Sequence, residues 1–134
     1  MIATQELWTP AGIVLGFQMT LFSWRLAEEA RVGADGETPW LAPSDYMNLL
    51  GAVIILFSTY LLPAAELISP KSGYIFFGLG TMLFLGSVFS MAGHYQLYRI
   101  RGRRMFLWFP RQEKIAILCS LIMALSYLIV ALQR

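Results

Sequence analysis

Apolar positions in this chain fall into four long blocks, at 10–27, 46–62, 73–95 and 115–132, and the polar positions collect between them. A helix needs about 20 mostly apolar residues to cross the roughly 30 Å of hydrocarbon in a bilayer. Each block is close to that length, and the flanks of two blocks can extend them. The pattern predicts an all-α fold: a polytopic membrane protein forming one domain over 1–134, with four transmembrane helices in a compact bundle. The expected helices lie at about 10–27, 46–67, 73–98 and 113–132. The blocks take up most of the 134 residues and leave no room for a separate soluble domain.

Local signals mark the helix starts. Thr9–Pro10 offers a cap followed by proline in the first turn. Ser44 after Pro43 can cap the second helix, and Ser69–Pro70 or Ser72 the third; Pro110 precedes the fourth. Gly33, Gly36, Pro39 and Pro43 break the chain between the first two helices. Pro63 removes a backbone donor, but membrane helices tolerate this. The second helix is therefore carried on to Leu67, which puts Glu66 on one face with Asn48, Ala52 and Thr59. The first eight residues hold no Lys or Arg, so the first block reads as a retained helix, not a signal peptide.

Composition agrees with the block pattern. The chain is 57% hydrophobic and 13% charged, too little polar surface for a soluble domain of this length. The net charge of +2 hides an asymmetry. With four spans, Arg25, Arg31, Arg99, Arg101, Arg103, Arg104, Arg111 and Lys114 share one side, and only Lys71 and Arg134 the other. Positive residues in short loops mark the cytoplasmic face. Both termini are expected on the non-cytoplasmic side, in a bacterial-type inner (plasma) membrane. The acids of the first loop do not reverse this, because acids count for little in the rule. Trp8, Trp40, Tyr46, Tyr74, Tyr95, Tyr98 and Trp108 fall near block ends, where amphipathic rings favour the headgroup zone.

Small residues decide where helices approach each other in lipid, aided by interhelical hydrogen bonds. The first helix carries Gly12 and Gly16 in line with Thr20, Ser23 and Ala27. The third carries Gly80, Gly86 and Gly93 with Gly73, Ser87 and Ser90. The fourth carries Ala116, Ser120, Ala124 and Ala131. These stripes are expected to pack the chain against itself, with a subunit interface as the alternative use of one of them.

The candidate chemistry is sparse. Gln18, Arg25 and Glu29 form a second face of the first helix, away from its glycines. With Asn48, Thr59, Glu66 and His94 they make either interhelical contacts or the lining of a polar cavity. Arg25 can snorkel to the boundary or pair with Glu29 one turn on. His94 is the lone histidine, so ligation would need a partner from elsewhere, and neither metal nor cofactor is expected. Between the third and fourth blocks, Arg99, Arg101, Arg103, Arg104, Trp108 and Arg111 interleave cations with aromatics. Such a segment attracts anionic lipid headgroups, at about 1 kcal/mol per charge, or an acidic partner; nucleic acid is not expected against a membrane.

Several activities are excluded. The single cysteine, Cys119, allows no internal disulfide, no paired-thiol chemistry and no thiolate cluster. There is no phosphate loop, dinucleotide fingerprint, nucleophile elbow or zinc-protease helix. A proton-coupled exporter of this size would carry an acid deep in a span, and no Asp or Glu lies deep in any block. The expectation is a non-catalytic subunit or an assembly or stabilising factor of a larger membrane complex, whose partners are membrane lipids and other membrane subunits or a second copy. The alternatives are a small homo-oligomeric transporter or channel with a polar cavity, and a lipid- or quinone-linked membrane enzyme.

Overall fold

The computed structural model describes residues 6–34, 41–95 and 109–133, and every element among them is helical. We number four helices: α1 over Trp8–Ala34, α2 over Pro43–Ala64, α3 over Pro70–His94 and α4 over Arg111–Gln133. The last three are long and apolar enough to cross a membrane. α1 is the longest, at 27 residues, and is less apolar because it carries Gln18, Arg25 and the charges from Glu28 to Arg31.

Most boundaries differ from expectation. α4 begins at Arg111, two residues early. α1 begins at Trp8, which puts Thr9 inside the helix and not at its cap, and α1 does not stop at 27. Its extra turns are held by side-chain pairs at helical spacing: Arg25 Nη2 donates to Glu29 Oε1 at 2.8 Å, and Arg31 Nε and Nη2 donate to Glu28 at 3.1 and 2.5 Å. α2 begins earlier, with Ala42 as its N-cap. The Ser44 hydroxyl does not cap; the Asp45 carboxylate instead accepts from Ala42 N–H at 3.0 Å. α2 also ends earlier, at Ala64, after a π segment over Phe57–Leu61. Pro63 lacks an N–H and its ring crowds the carbonyl one turn back, and the wider π turn accommodates both. The chain then reverses through Glu66, whose φ of 56° takes it off the helix. Glu66 is exposed and does not share a face with Asn48 and Thr59. α3 starts at Pro70, ahead of the expected 73, with Ser69 as the cap, its Oγ accepting from Ser72 N–H at 3.2 Å, and it ends at His94, short of the expected 98, with Tyr95 as its C-cap.

α3 is the hub: it packs along α2 on one side and α4 on the other, while α1 lies mainly against α2. The apolar core is small, with Met47, Leu83 and Ala124 at its centre. The small residues of α3 make its approaches possible. A Cβ on Gly80 would lie 2.8 Å from the Gly51 carbonyl oxygen, one on Gly86 2.6 Å from Ser120 Cβ, and one on Gly93 2.8 Å from Glu113 N.

The glycines of α1 behave differently. A Cβ on Gly16 would meet nothing within 4 Å, and one on Gly12 only the Tyr60 hydroxyl at 3.5 Å. Within the chain, this stripe does not make the packing contact expected of it. Among the described residues of α1, those buried are Ala11, Gln18 and Arg25, preceded by Leu7. The physical reason is that in hydrocarbon an apolar face gains nothing from being covered, whereas an amide or a guanidinium must find partners. The polar groups therefore set the rotation of α1.

Candidate functional site

Arg25 organises one end of the bundle. Its side chain is 1% exposed, and a charge buried this far is tolerated only when paired and hydrogen-bonded. Asp45, in the first turn of α2, takes it as a fork: Nε donates to Oδ1 and Nη2 to Oδ2, both at 3.2 Å. Nη2 also donates to Glu29 and Nη1 to the Tyr95 hydroxyl. The guanidinium carbon lies 5.4 Å from the Tyr95 ring centroid. Burial raises the Tyr95 pKa against the pull of Arg25, so the phenol meets the guanidinium as a neutral acceptor. Asp45 is well placed on its own account, because a helix N-terminus favours a negative charge.

A second set of contacts adjoins the first. Glu113, in the first turn of α4, is fully buried. Its Oε1 accepts from Ser44 N–H at 3.4 Å, and its Oε2 is 2.8 Å from His94 Nδ1. Gly93 makes this possible by letting the start of α4 reach the end of α3. Ser44 and Asp45 are consecutive, so the first turn of α2 joins the two sets. The cluster draws on all four helices: Arg25 and Glu29 from α1, Ser44 and Asp45 from α2, His94 with Tyr95 from the end of α3, and Glu113 from α4.

Deeper in the bundle, α1 and α2 are locked by a reciprocal pair. Gln18 Nε2 donates to the Asn48 carbonyl at 3.3 Å, and Asn48 Nδ2 donates to the Gln18 carbonyl at 3.1 Å. Beyond it lie Ser58 and Thr59, buried in the π segment. Thr20, Thr81, Ser90 and Ser120 each donate to a carbonyl one turn back in their own helix. The hydroxyls of Ser58 and Thr59 have no hydrogen-bond partner among the described residues.

Of the residues singled out from the sequence, the structure thus turns Gln18, Arg25, Asn48 and Thr59 inward, pairs Arg25 with Glu29, and brings His94 to the same end of the bundle. It leaves Glu66 outside, and Arg111 is exposed at the start of α4. Arg99, Arg101, Arg103, Arg104 and Trp108 lie outside the described residues. Four members of the cluster were missed as site residues in the sequence: Ser44, Asp45, Tyr95 and Glu113. For Asp45 and Glu113 the signal was available as an acid in the first turn of two helices, at the end that the topology shares with Arg25 and His94.

Chemically, the cluster can hold four helix ends together and can pass a proton between His94 and Glu113. Arg25 spends four of its five N–H groups on its own protein, and its side chain is buried. Among the described residues, no group of three or more His, Cys, Asp or Glu is placed to hold a metal ion. An apolar groove of about 500 Å³ runs between α1 and α3, lined by Phe17, Thr20, Leu21, Trp24, Phe84 and Val88. Set against known protein families, curated proteins and solved structures, the chain matches none.

Proposed function

We propose that this chain is a four-span, non-catalytic subunit or assembly factor of a larger membrane complex. The observation that carries the reading is the Arg25–Asp45 fork with its neighbours Glu29 and Tyr95. The most strongly charged groups in the bundle are spent on one another, as a clamp, and not aimed into an open cleft. The described groove is apolar, which suits a hydrocarbon surrounding better than a reaction.

α1 is taken as the fourth span. Its polar residues Gln18 and Arg25 are buried, while Ile13, Phe17, Met19, Trp24 and Leu26 are exposed, as a lipid-facing helix requires. The clamp end then faces the cytoplasm with the arginine-rich segment at 99–104, where anionic headgroups supply the counter-charge. Both termini lie on the other side of a bacterial-type inner membrane, and the partners are other membrane subunits or a second copy.

Extraction from the native membrane in a mild detergent tests the reading. The 15.1 kDa chain should migrate in an assembly several times its own mass, and a lone stable monomer overturns the proposal. A C-terminal reporter active only in the cytoplasm should stay silent; a positive signal inverts the orientation.

A further inference from the structure

We propose that the inner face of α2 is a proton path, held shut where Ile55 packs against Gly80. The inference goes beyond the subunit reading and stands on different residues. Ser44, Asn48, Gly51, Ile55, Ser58 and Thr59 are all buried and recur at helical spacing along one side of α2. From Ser44 to Thr59 the line covers roughly 22 Å at 1.5 Å per residue, most of the hydrocarbon thickness.

Buried oxygens mark this line. Ser44 Oγ, Asn48 Oδ1, Ser58 Oγ and Thr59 Oγ1, with Gln18 Oε1 from α1, find no hydrogen-bond partner among the described residues. Inside a membrane such a group is costly until a donor reaches it. The amide oxygens can only accept, so their ligand must donate. Water and hydronium fit that requirement; an anion does not. The oxygens form two groups: Ser44, Asn48 and Gln18 near the clamp, and Ser58 with Thr59 in the π segment. The hydroxyls of the second group do not bond back along the helix as those of Ser87 and Ser90 do.

Between the two groups the line is closed. A Cβ on Gly80 would lie 2.5 Å from Ile55 Cγ1 and 2.8 Å from the Gly51 carbonyl oxygen, which leaves no room for a water molecule. Ile55 itself is fully buried. At the clamp end His94 stands 2.8 Å from Glu113 with part of its ring exposed. Each transfer breaks one O–H bond on the donor oxygen and forms one on the acceptor. It moves a single positive charge, and a pH difference or membrane potential drives it without a co-reactant. Opening requires Ile55 to withdraw, and the π segment beside it is the place in α2 where helical pitch already varies.

The test places the full chain in proteoliposomes loaded with a pH-sensitive dye, with a potassium gradient and valinomycin supplying the potential. Wild-type protein should stay close to the leak of protein-free vesicles. Ile55→Ala should raise proton influx severalfold, and adding Asn48→Leu or Thr59→Val should bring it back down. No rise with Ile55→Ala, or a rise that both second changes leave intact, overturns the proposal. A second readout does not depend on that variant folding. In the wild-type background, Thr59→Val and Ser58→Ala should lower the thermal midpoint in detergent if the hydroxyls hold water. Removing a dry, orphaned hydroxyl would raise it, and a rise in both overturns the proposal.

Discussion

Gly51 and Gly80 face each other where α2 crosses α3: a Cβ on either would lie 2.7 or 2.8 Å from the carbonyl oxygen of the other. The contact is backbone to backbone, with room for a glycine hydrogen and none for a methyl group. Within lipid such close approach is what draws helices together, since the surrounding tails are as apolar as any side chain. The crossing also sits beneath the amide lock, because a Cβ on Gly51 would be 3.0 Å from Gln18 Nε2.

The crossing should therefore tolerate no side chain. Gly80→Ala meets the Ile55 side chain and the Gly51 backbone, and Gly51→Ala meets the Gly80 backbone, so α2 and α3 must part in either case. The expected cost is about 1–3 kcal/mol. Gly16→Ala, with nothing within 4 Å of the new carbon, should be neutral or gain up to about 1 kcal/mol in helix propensity. Reversible unfolding in mixed micelles measures all three. Equal responses at 16 and 80 would mean that the two glycines have been given the wrong roles.

The Arg25–Asp45 fork should behave as a unit. Arg25→Leu leaves Asp45 buried without its counter-charge, at a cost of about 3–5 kcal/mol. Arg25→Lys should recover little, because an ammonium lacks the planar fork that matches both carboxylate oxygens. The double variant Arg25→Leu with Asp45→Leu should cost less than the sum of the singles, since no unpaired charge remains at that pair. A double-mutant cycle measures the difference, and strict additivity would show that the two side chains do not stabilise each other.

What could be read in the sequence follows from how local each feature is. The four blocks and the α3 glycines depend on length and spacing alone, and they survive in the structure. The rotation of α1 does not. Both its glycine stripe and its Gln18–Arg25 face have helical spacing, and the choice between them is made by Asn48 and Asp45, at positions 30 and 20 residues away in the chain. The clamp acids were hidden by small errors in helix starts. With α2 begun at 46 and α4 at 113, Asp45 reads as a loop residue and Glu113 as the edge of a block. With the starts at Pro43 and Arg111, both fall in first turns that point at the end of α3.

The outward stripe of α1 separates assembly from folding. Gly16→Leu adds a large side chain at an exposed position where no described residue comes within 4 Å of the new Cβ, so the unfolding midpoint of the isolated protein should hold. If α1 is the surface that meets another subunit, the same change should shift the protein from the large assembly to the monomer on a native gel. A loss of the assembly accompanied by a lower midpoint would place Gly16 inside the chain's own packing instead.

Glu113 should tie α4 to two other helices through different atoms. One oxygen accepts from Ser44 N–H, an orphan donor at the start of α2, and the other meets His94 at the end of α3. Glu113→Gln keeps a carbonyl oxygen for one of these partners, removes the charge and puts an NH2 donor toward the other, so its cost should fall below that of Glu113→Ala. Glu113→Ala removes both contacts and leaves the Ser44 donor and the His94 ring without them, at an expected cost of about 1–3 kcal/mol for each buried group left unsatisfied. His94→Ala removes only the α3 contact and should cost less than Glu113→Ala. Unfolding of the three variants in detergent, with exchange of the Ser44 amide followed by NMR, checks the order. Faster Ser44 exchange is expected in Glu113→Ala alone, and acceleration of the same size in His94→Ala would mean that the carboxylate does not hold the start of α2.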